Sequence, residues 1–198
     1  MSKSDHVLKR IFDIFFSFVG IVILWPVILL CWVVAAMETR SNGLFIHKRV
    51  GRDGQLISVY KIKTMYASKG ERSPIAFENA ASVTRSGAFF RKYKLDELPQ
   101  LFNVMVGSMS FVGPRPDVPS YADQLEGTDR IILQVRPGIT GPASLKYKDE
   151  ESLLSAAADP AWYNDTIIWP DKVRINKAYV MNYSLLSDVK YIVRTFLK

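Results

Sequence analysis

The side chains with the clearest chemical potential are two adjacent carboxylates, Asp96 and Glu97, within the sequence LDELPQ at 95–100. Pro99 favours the first turn of a helix, where its missing N–H is not needed, so we expect Asp96 near the N-cap. Free N–H groups and the helix dipole would keep a carboxylate ionised there, and the same helix end attracts phosphate. Glu97 points about 100° away around such a helix, so the two carboxylates could take different roles. A capped helix start with an acidic first turn explains the same sequence.

Two arginines stand beside prolines that fix the backbone around them. Arg115 lies between Pro114 and Pro116, which restrict where its guanidinium can point. A pre-oriented arginine suits bidentate phosphate binding. Arg136 precedes Pro137 and has similar surroundings. A rigid bend with a solvated arginine is the alternative at both positions.

Three further basic residues could approach a phosphate. Lys61 and Lys63 lie on the same side of a predicted strand, because strand side chains alternate with period two. Arg91 precedes Asp96 by five residues. These side chains could clamp a phosphate, or they could simply be solvated on the surfaces that carry them.

The composition excludes several other kinds of chemistry. One Cys and two His among 198 residues rule out a disulfide framework, a Cys-rich zinc site, a His-based metal cage and a conventional Ser-His triad. Catalysis must therefore rest on carboxylates, Lys, Arg or Tyr. The 26 Lys and Arg exceed the 19 Asp and Glu, and the net charge of +7 suits an anionic partner. Nucleic acid is not expected, because the basic residues are scattered singly and form no nucleic-acid-binding motif.

An uncharged apolar segment at 14–37 is expected to hold these residues at a membrane. As a straight helix it would be about 36 Å long, enough for a hydrocarbon core of ~30 Å. Pro26, which follows Trp25 at its centre, should kink the helix into halves that are too short to cross. Both flanks are basic, as cytoplasmic ends are. A re-entrant helix-break-helix hairpin satisfies both flanks, and an ordinary kinked spanning helix is the alternative.

Asp13 lies at the start of this segment, where a carboxylate is costly unless it is paired. Lys9 and Arg10 precede it by four and three residues, so both are within its reach on a helix. We therefore expect an ion pair there, with a solvated helix start as the alternative.

Residues 41–198 are enough for one further domain. Apolar alternation on both sides of an Asp-Gly turn predicts a β-hairpin with strands at 44–50 and 56–62. Helical periodicity predicts helices at 83–93, 95–105, 118–135, 150–158 and 171–198. Loops are predicted at 66–82 (with a short helix), 110–119 and 136–142.

The end of the chain reads as a basic amphipathic helix. Its apolar stripe comprises Leu185, Leu186, Val189, Ile192, Val193, Phe196 and Leu197. Such a helix can lie on anionic lipid, although a helix that packs on a core shows the same pattern. The predicted fold is α+β, with a membrane-embedded re-entrant hairpin at 1–40. A mostly helical cytoplasmic domain at 41–198 carries the short β-hairpin and interfacial amphipathic helices.

Six sequence blocks follow one another between residues 9 and 141. They are KRIFD at 9–13, KRVG at 48–51, YKIKTM at 60–65, LDELPQLFNV at 95–104, MSFVGPRP at 109–116 and VRPGITG at 135–141. In this order they resemble the small monotopic phosphoglycosyl transferases of the bacterial sugar transferase family. The set is specific, although no single block is. The resemblance implies a re-entrant helix broken at Trp25 and Pro26, in the bacterial inner (cytoplasmic) membrane, with the active site on the cytoplasmic face.

The resemblance also implies an activity. It implies transfer of a sugar phosphate from a nucleotide sugar, expected to be a UDP-sugar, to undecaprenyl phosphate, with release of UMP, as the first membrane step of glycoconjugate synthesis. Asp96 would attack the phosphate attached to the sugar and form a covalent phosphosugar intermediate, with Glu97 assisting. Mg²⁺ would bridge Asp96 and the diphosphate. Lys61, Arg91 and Arg115 match family positions that line the phosphate site.

The resemblance is incomplete at three places. PASLKY at 142–147 replaces the familiar Ala-Gln-Val-Asn-Gly-Arg, which leaves the sugar open. Trp25 stands where a Ser is common, so Pro26 alone supports the helix break. Ser108 stands where an acidic residue is common. The chain is expected to be the minimal catalytic form, and a homodimer is allowed. The alternatives are an inactive membrane-anchored interaction protein and a spanning-helix glycosyl transferase that releases a nucleoside diphosphate.

Overall fold

The computed structural model describes residues 1–66 and 82–197, so most of the predicted loop at 66–82 lies outside the described residues. The helices are α1 (Lys3–Thr39), α2 (Arg85–Lys92), α3 (Gln100–Val106), α4 (Pro142–Lys146), α5 (Glu150–Ala156), α6 (Pro160–Tyr163), α7 (Trp169–Met181) and α8 (Leu185–Phe196). The strands are β1 (Leu44–Val50), β2 (Leu56–Ile62), β3 (Ser110–Val112) and β4 (Gly138–Thr140). The prediction of a mostly helical α+β fold is confirmed at this level.

β1 and β2 form the predicted antiparallel hairpin with the predicted boundaries. The turn between them places Asp53 and Gly54 in the left-handed region, with φ of 58° and 79°. Glycine takes this conformation freely, and aspartate tolerates it better than most residues do. Phe45 lies opposite Lys61, and directly opposed residues share a face of the sheet.

A second sheet corrects the prediction of an irregular loop at 136–142. β4 pairs in parallel with β3, with Ser110 opposite Gly138 and Val112 opposite Thr140. The proline and glycines of this segment are loop signals. They do not prevent pairing here, because β4 is only three residues long and Gly138 can approach the neighbouring backbone closely.

The predicted helix at 118–135 is wrong. The segment instead forms two 3₁₀ turns, Ala122–Gln124 and Gly127–Gln134. Gly127 starts the second turn in the left-handed region, at φ 55°, which a continuous right-handed helix does not contain.

α1 is one uninterrupted helix of 37 residues with Pro26 inside it, so it is about 55 Å long. The predicted division into two helices at Trp25 and Pro26 is not confirmed, and re-entry into the membrane stays a prediction. Proline removes one hydrogen bond of the helical ladder, which can bend a helix without ending it. Within the described residues, α1 is the one helix long and apolar enough to cross a membrane by length and composition.

The first half of α1 turns its polar side toward the rest of the protein, whereas the second half buries Cys31 and Ala35. Lys9, Asp13 and Ser17 recur at every fourth position and are buried. Apolar side chains such as Ile11 and Phe15 are 60% exposed. A helix on a water-soluble core shows the reverse arrangement. The outer surface of α1 is therefore suited to apolar surroundings.

The buried polar residues of α1 have partners other than those predicted. Asp13 Oδ1 accepts hydrogen bonds from the Phe111 N–H and a serine hydroxyl, both at 3.1 Å. Lys9 pairs with Asp188 of α8, and Arg10 donates to carbonyls at the end of α3. The predicted ion pair of Asp13 with its helix neighbours is therefore wrong, because surrounding elements take these basic side chains.

α8 buries only part of its predicted apolar stripe. Leu185 and Ile192 are partly buried, and Ile192 packs against the core around Tyr179. Leu186 and Phe196 are 75% and 82% exposed. Core packing therefore explains one side of the stripe, and the other side is an open apolar surface.

Candidate active site

A 3₁₀ turn between α2 and α3 presents the two adjacent carboxylates. Lys94, at φ 57°, reverses the chain after α2, and the turn Leu95–Glu97 follows. A left-handed conformation costs a residue with a side chain about 1 kcal/mol, so contacts of the turn must hold it in place. Pro99 occupies the N-cap position of α3, close to where the sequence predicts it. Asp96 is 7% exposed in this arrangement.

Asp96 differs from its predicted state. Its Oδ1 is buried and has no hydrogen-bond partner among the described residues. Burial raises the pKa of Asp96, although Lys61 opposes the increase. The predicted N–H contacts at a helix start are not found for Oδ1 among the described residues, so the prediction that they hold the carboxylate ionised is not confirmed. A buried, unpaired carboxylate oxygen is costly for the folded protein, which is a common property of reactive groups.

Glu97 is paired where Asp96 is not. Its Oε1 accepts hydrogen bonds from Lys61 Nζ and Arg115 Nη2, each at 2.8 Å. Burial alone would raise the pKa of Glu97, but Arg115 and Lys61 outweigh it and hold the pKa well below its usual range. Arg115 keeps 46% of its side chain exposed, against 20% for Lys61. A ligand can therefore reach the guanidinium directly.

Asn103 fixes the distance between the acidic turn and the strand that carries Lys61. Its Oδ1 accepts from the Tyr60 N–H at 3.0 Å, and its Nδ2 donates to the Ser58 carbonyl at 2.7 Å. The side chain is 1% exposed, so water does not compete for these bonds. α3 is thereby joined to β2 directly after the turn that holds Asp96.

The second sheet positions Arg115. The Gly113 N–H donates to the Thr140 carbonyl at 2.9 Å, and the Gly138 N–H donates to the Pro114 carbonyl at 2.8 Å. A Cβ on Gly113 would lie 2.5 Å from a backbone oxygen, so only glycine permits this approach. Arg115, between its two prolines, then reaches Glu97, a partner that the sequence does not predict.

Two of the predicted phosphate-binding residues, Arg91 and Lys63, make no hydrogen bond with the two carboxylates among the described residues. Arg91 contributes to the field at Asp96, lowering its pKa, and its Nη2 lies 3.7 Å from Met65 Sδ. Lys63 donates to Ser41 Oγ at 2.8 Å, away from the acidic pair. Neither is part of the cluster that holds Glu97.

Arg136 lies at the opposite end of α3. Its Nε donates to the Gly107 carbonyl at 2.7 Å, where the helix has just ended. Arg10 donates to two carbonyls of the same last turn. Both guanidinium groups thus bind the carbonyl end of a helix, where positive charge is favourable. The structure does not bring Arg136 together with the other predicted phosphate ligands.

Sequence reasoning missed two residues on β1 that lie beside this cluster. His47 and Arg49 share a face with Phe45, and that face also carries Lys61 of β2. Lys61 and Arg115 both contribute to the field at His47. The predicted hairpin already implied this grouping, because alternate residues of β1 share one face with the residues opposite them on β2.

The acidic turn fits a divalent cation that is shared with a phosphorylated ligand. The described residues contain no group of three or more His, Cys, Asp or Glu that could hold a metal ion alone. Mg²⁺ is commonly bound by one or two carboxylates together with substrate phosphates, and it keeps several waters. The unpaired, buried Oδ1 of Asp96 is a suitable protein ligand of this kind.

The comparisons place the whole chain in one family. The chain belongs to the bacterial sugar transferases, whose family model matches residues 4–198. It is 31% identical to the undecaprenyl-phosphate galactose phosphotransferase of Salmonella typhimurium, over 98% of this chain and 40% of that protein. It is 33% identical to the UDP-glucose:undecaprenyl-phosphate glucose-1-phosphate transferase of Klebsiella pneumoniae, over 98% and 40%. The exopolysaccharide production protein ExoY of Sinorhizobium fredii is 29% identical, over 94% and 83%. The chain thus spans about two fifths of the length of the first two relatives.

Proposed function

We propose that this protein transfers a sugar-1-phosphate from a UDP-sugar to undecaprenyl phosphate and releases UMP. The names of two relatives describe this kind of reaction. The observation that carries the proposal is the contrast between two adjacent carboxylates. Asp96 has a buried oxygen that lacks a partner within residues 1–66 and 82–197, whereas Glu97 holds two cations. A nucleophile must be free to react, and a positioning group must be fixed.

The proposed reaction has two steps on the same phosphorus atom. A carboxylate oxygen of Asp96 bonds to the phosphorus that carries the sugar, and the bond from that phosphorus to the bridging oxygen breaks. UMP leaves with the bonding electron pair, and a phosphosugar remains on Asp96. An oxygen of undecaprenyl phosphate then bonds to the phosphorus. The bond to Asp96 breaks, and the carboxylate is restored.

Lys61 and Arg115 supply the positive charge that lets an anionic nucleophile approach a phosphate. Both already meet at Glu97 Oε1, so Glu97 holds them in place before the donor arrives. A carboxylate whose pKa is held so low is a weak base, which favours this positioning role over deprotonation of the acceptor. Mg²⁺, which Asp96 would hold, supplies further neutralisation of the diphosphate when bound.

The acceptor is a lipid, and the outer surface of the protein suits a bilayer. α1 exposes apolar side chains along its length, and α8 exposes Leu186 and Phe196. We infer that α1 is embedded and that α8 lies on anionic lipid, with the acidic turn on the cytoplasmic face of the bacterial inner membrane. Re-entry of α1 and the resulting monotopic topology belong to this proposal.

The test is UMP release from a panel of UDP-sugars with undecaprenyl phosphate. Asp96→Asn should abolish turnover, because an amide is not a nucleophile, and Glu97→Gln should lose most activity. Donor labelled in the sugar, added without acceptor, should label the wild-type protein but not Asp96→Asn. EDTA should inhibit, and Mg²⁺ should restore activity.

Several outcomes would reject the proposal. Near-normal turnover by Asp96→Asn would exclude the covalent route, and release of UDP instead of UMP would indicate direct glycosyl transfer. No activity with any donor would favour an inactive membrane-anchored protein of the same fold. The sugar itself is decided by the donor panel, since the relatives named above differ in it.

A further inference from the structure

His47 lies in the middle of β1, on the face of the hairpin that carries Lys61, the lysine bound to Glu97. Its ring lies 5.3 Å from that of Phe45, and Arg49 follows on the same face. Val59 is directly opposite, and Lys61 lies diagonally across the hairpin. His47 is therefore next to the lysine that binds Glu97.

The partner of His47 determines which ring nitrogen carries the proton. Arg49 Nε and Nη2 lie 3.3 Å and 3.4 Å from His47 Nδ1. A guanidinium group has only donors, so Nδ1 must present its lone pair. Burial lowers the pKa of His47 to about 3, and the charge of Arg49 acts in the same direction. The imidazole is thus neutral, and its single N–H is on Nε2.

This N–H group has no partner among the described residues. His47 Nε2 is buried and makes no hydrogen bond in the part of the chain that the structure describes. A buried donor that has lost water without gaining an acceptor is unfavourable, and native proteins rarely keep one without a reason. Arg115, Lys61 and Glu97 all act on His47 electrostatically, so the unpaired donor lies at the edge of the candidate active site.

The charges around His47 define the acceptor that it lacks. Arg49, Lys61 and Arg115 are three cations, and Glu97 already binds two of them. An anionic oxygen is the ligand that this environment favours. A neutral N–H donor adds a directed bond there without a fourth positive charge. Phosphoryl oxygens are compact anionic acceptors and can meet several such donors at once.

We propose that His47 Nε2–H donates a hydrogen bond to a phosphoryl oxygen of a bound nucleoside diphosphate, beside Lys61 and Arg115. This inference rests on the proposed function for the identity of the donor substrate. It assigns His47 as a binding residue and Arg49 as the positioning residue that fixes its tautomer.

Two substitutions separate the donor from the rest of the side chain. In His47→Gln the amide nitrogen can replace Nε2–H, whereas in His47→Asn the shorter amide can replace only the Nδ1 acceptor that faces Arg49. The probe is UDP, and its dissociation constant is measured by isothermal titration calorimetry on the detergent-solubilised full chain. His47→Asn should weaken UDP binding about tenfold, as expected for loss of a hydrogen bond to a charged group, and His47→Gln should recover most of that loss. Uridine, which has no phosphate, should bind all variants alike.

Lys48→Gln is the matched control. Lys48 lies on the opposite face of the same strand and donates to Ser58 Oγ at 3.0 Å. The Lys48→Gln substitution removes a nearby positive charge and leaves the proposed His47 contact intact, so the affinity for UDP should not change. A fall like that of His47→Asn would show that the effect is only general electrostatics, and the inference would be overturned.

Equal UDP affinity in His47→Asn and the wild type, or equal loss in both His47 variants, would also overturn it. Absence of UDP binding by the wild type would do the same. UMP release by the wild type is measured separately. If the enzyme turns over but His47 does not affect UDP binding, the inference fails and the proposed function stands. If UDP binding depends on the His47 donor while no sugar is transferred, the inference stands and the proposed function fails.

Discussion

Asp188→Asn should destabilise the protein by leaving the charge of Lys9 uncompensated in a buried site. The two residues form an ion pair between α8 and α1, with 1% and 8% of their side chains exposed. The Tyr179 hydroxyl donates to Asp188 Oδ1 at 2.7 Å, and asparagine keeps an oxygen that can accept this bond. The substitution therefore removes the charge and preserves the volume and the hydrogen bond.

The expected loss is about 3 kcal/mol, the lower end for removing one partner of a buried pair. The lower end applies because Lys9 Nζ keeps two other contacts, the Tyr179 hydroxyl at 3.4 Å and the Tyr183 ring at 5.6 Å from its centroid. For a chain of this length each kcal/mol lowers the Tm by about 2–4 °C, so the midpoint should fall by roughly 10 °C. The assay is thermal unfolding of the detergent-solubilised protein, followed by far-ultraviolet circular dichroism.

Two comparisons test the reasoning. Adding Lys9→Met to Asp188→Asn should recover part of the loss, because the stranded charge is then removed. Asp129→Asn is the exposed control: Asp129 pairs with Lys177 at 2.8 Å, with 48% and 30% of their side chains exposed. The Tm of the Asp129→Asn variant should differ from that of the wild type by about 2 °C at most. Equal midpoints for Asp188→Asn and Asp129→Asn, or a further fall with Lys9→Met, would refute the idea that burial makes the pair important.

Three more outcomes are expected. Arg115→Ala should lower kcat/KM for UMP release by about tenfold or more. Arg115→Lys should restore little activity, because an ammonium group does not reproduce the planar guanidinium. Full activity in Arg115→Ala would show that Arg115 only shapes the bend. Burial raises the pKa of Asp117 to about 6, above its unfolded value, so the fold loses stability as the pH rises from about 4 to about 6, and the loss persists at higher pH. Asp117→Asn should therefore raise the Tm at about pH 7, and the gain should vanish as the pH falls through about 6 toward 4; a constant gain would contradict the assignment. With Ser2→Cys in a Cys31→Ser background, an impermeant thiol reagent should label lysed but not intact cells. Pro26→Leu should make the intact cells labelled, because a straight α1 can span; labelling of intact cells without Pro26→Leu would exclude re-entry.

The β1–β2 hairpin could be predicted with its boundaries because the information is local. Apolar alternation defines both strands, and Asp53-Gly54 supplies the left-handed turn between them. The segment at 118–135 carries a helical pattern of the same local kind, yet it forms 3₁₀ turns. The left-handed Gly127 interrupts it, and a local pattern with one tolerated glycine does not reveal that conformation.

The residues of the candidate site could be nominated from sequence, but their grouping could not. Arg115 and Arg136 both stand beside prolines, and the proline pattern by itself favours neither as a phosphate ligand, although the family resemblance favours Arg115. Gly113 lies close to the Arg136 carbonyl where β3 pairs with β4. From this point the Arg115 guanidinium reaches Glu97, and the Arg136 guanidinium reaches the end of α3. Burial of Asp96 is likewise a property of the packed protein, so its unpaired oxygen could not be predicted from a helix-start motif.

α3 connects the long apolar helix α1 to the acidic turn through both of its ends. At its C-terminal end, Arg10 of α1 donates to the Val104 and Met105 carbonyls at 2.6 Å and 2.7 Å. Before its N-terminal end lies Asp96, and Asn103 joins the helix to β2 in between. A helix of seven residues is only about 10 Å long, and these bonds leave it little freedom. In the proposed membrane-bound state, the depth of α1 therefore sets the height of the reactive carboxylate above the lipid. The proposed acceptor would present its phosphate at that same surface, so embedding α1 and aligning Asp96 with the acceptor would be one structural requirement.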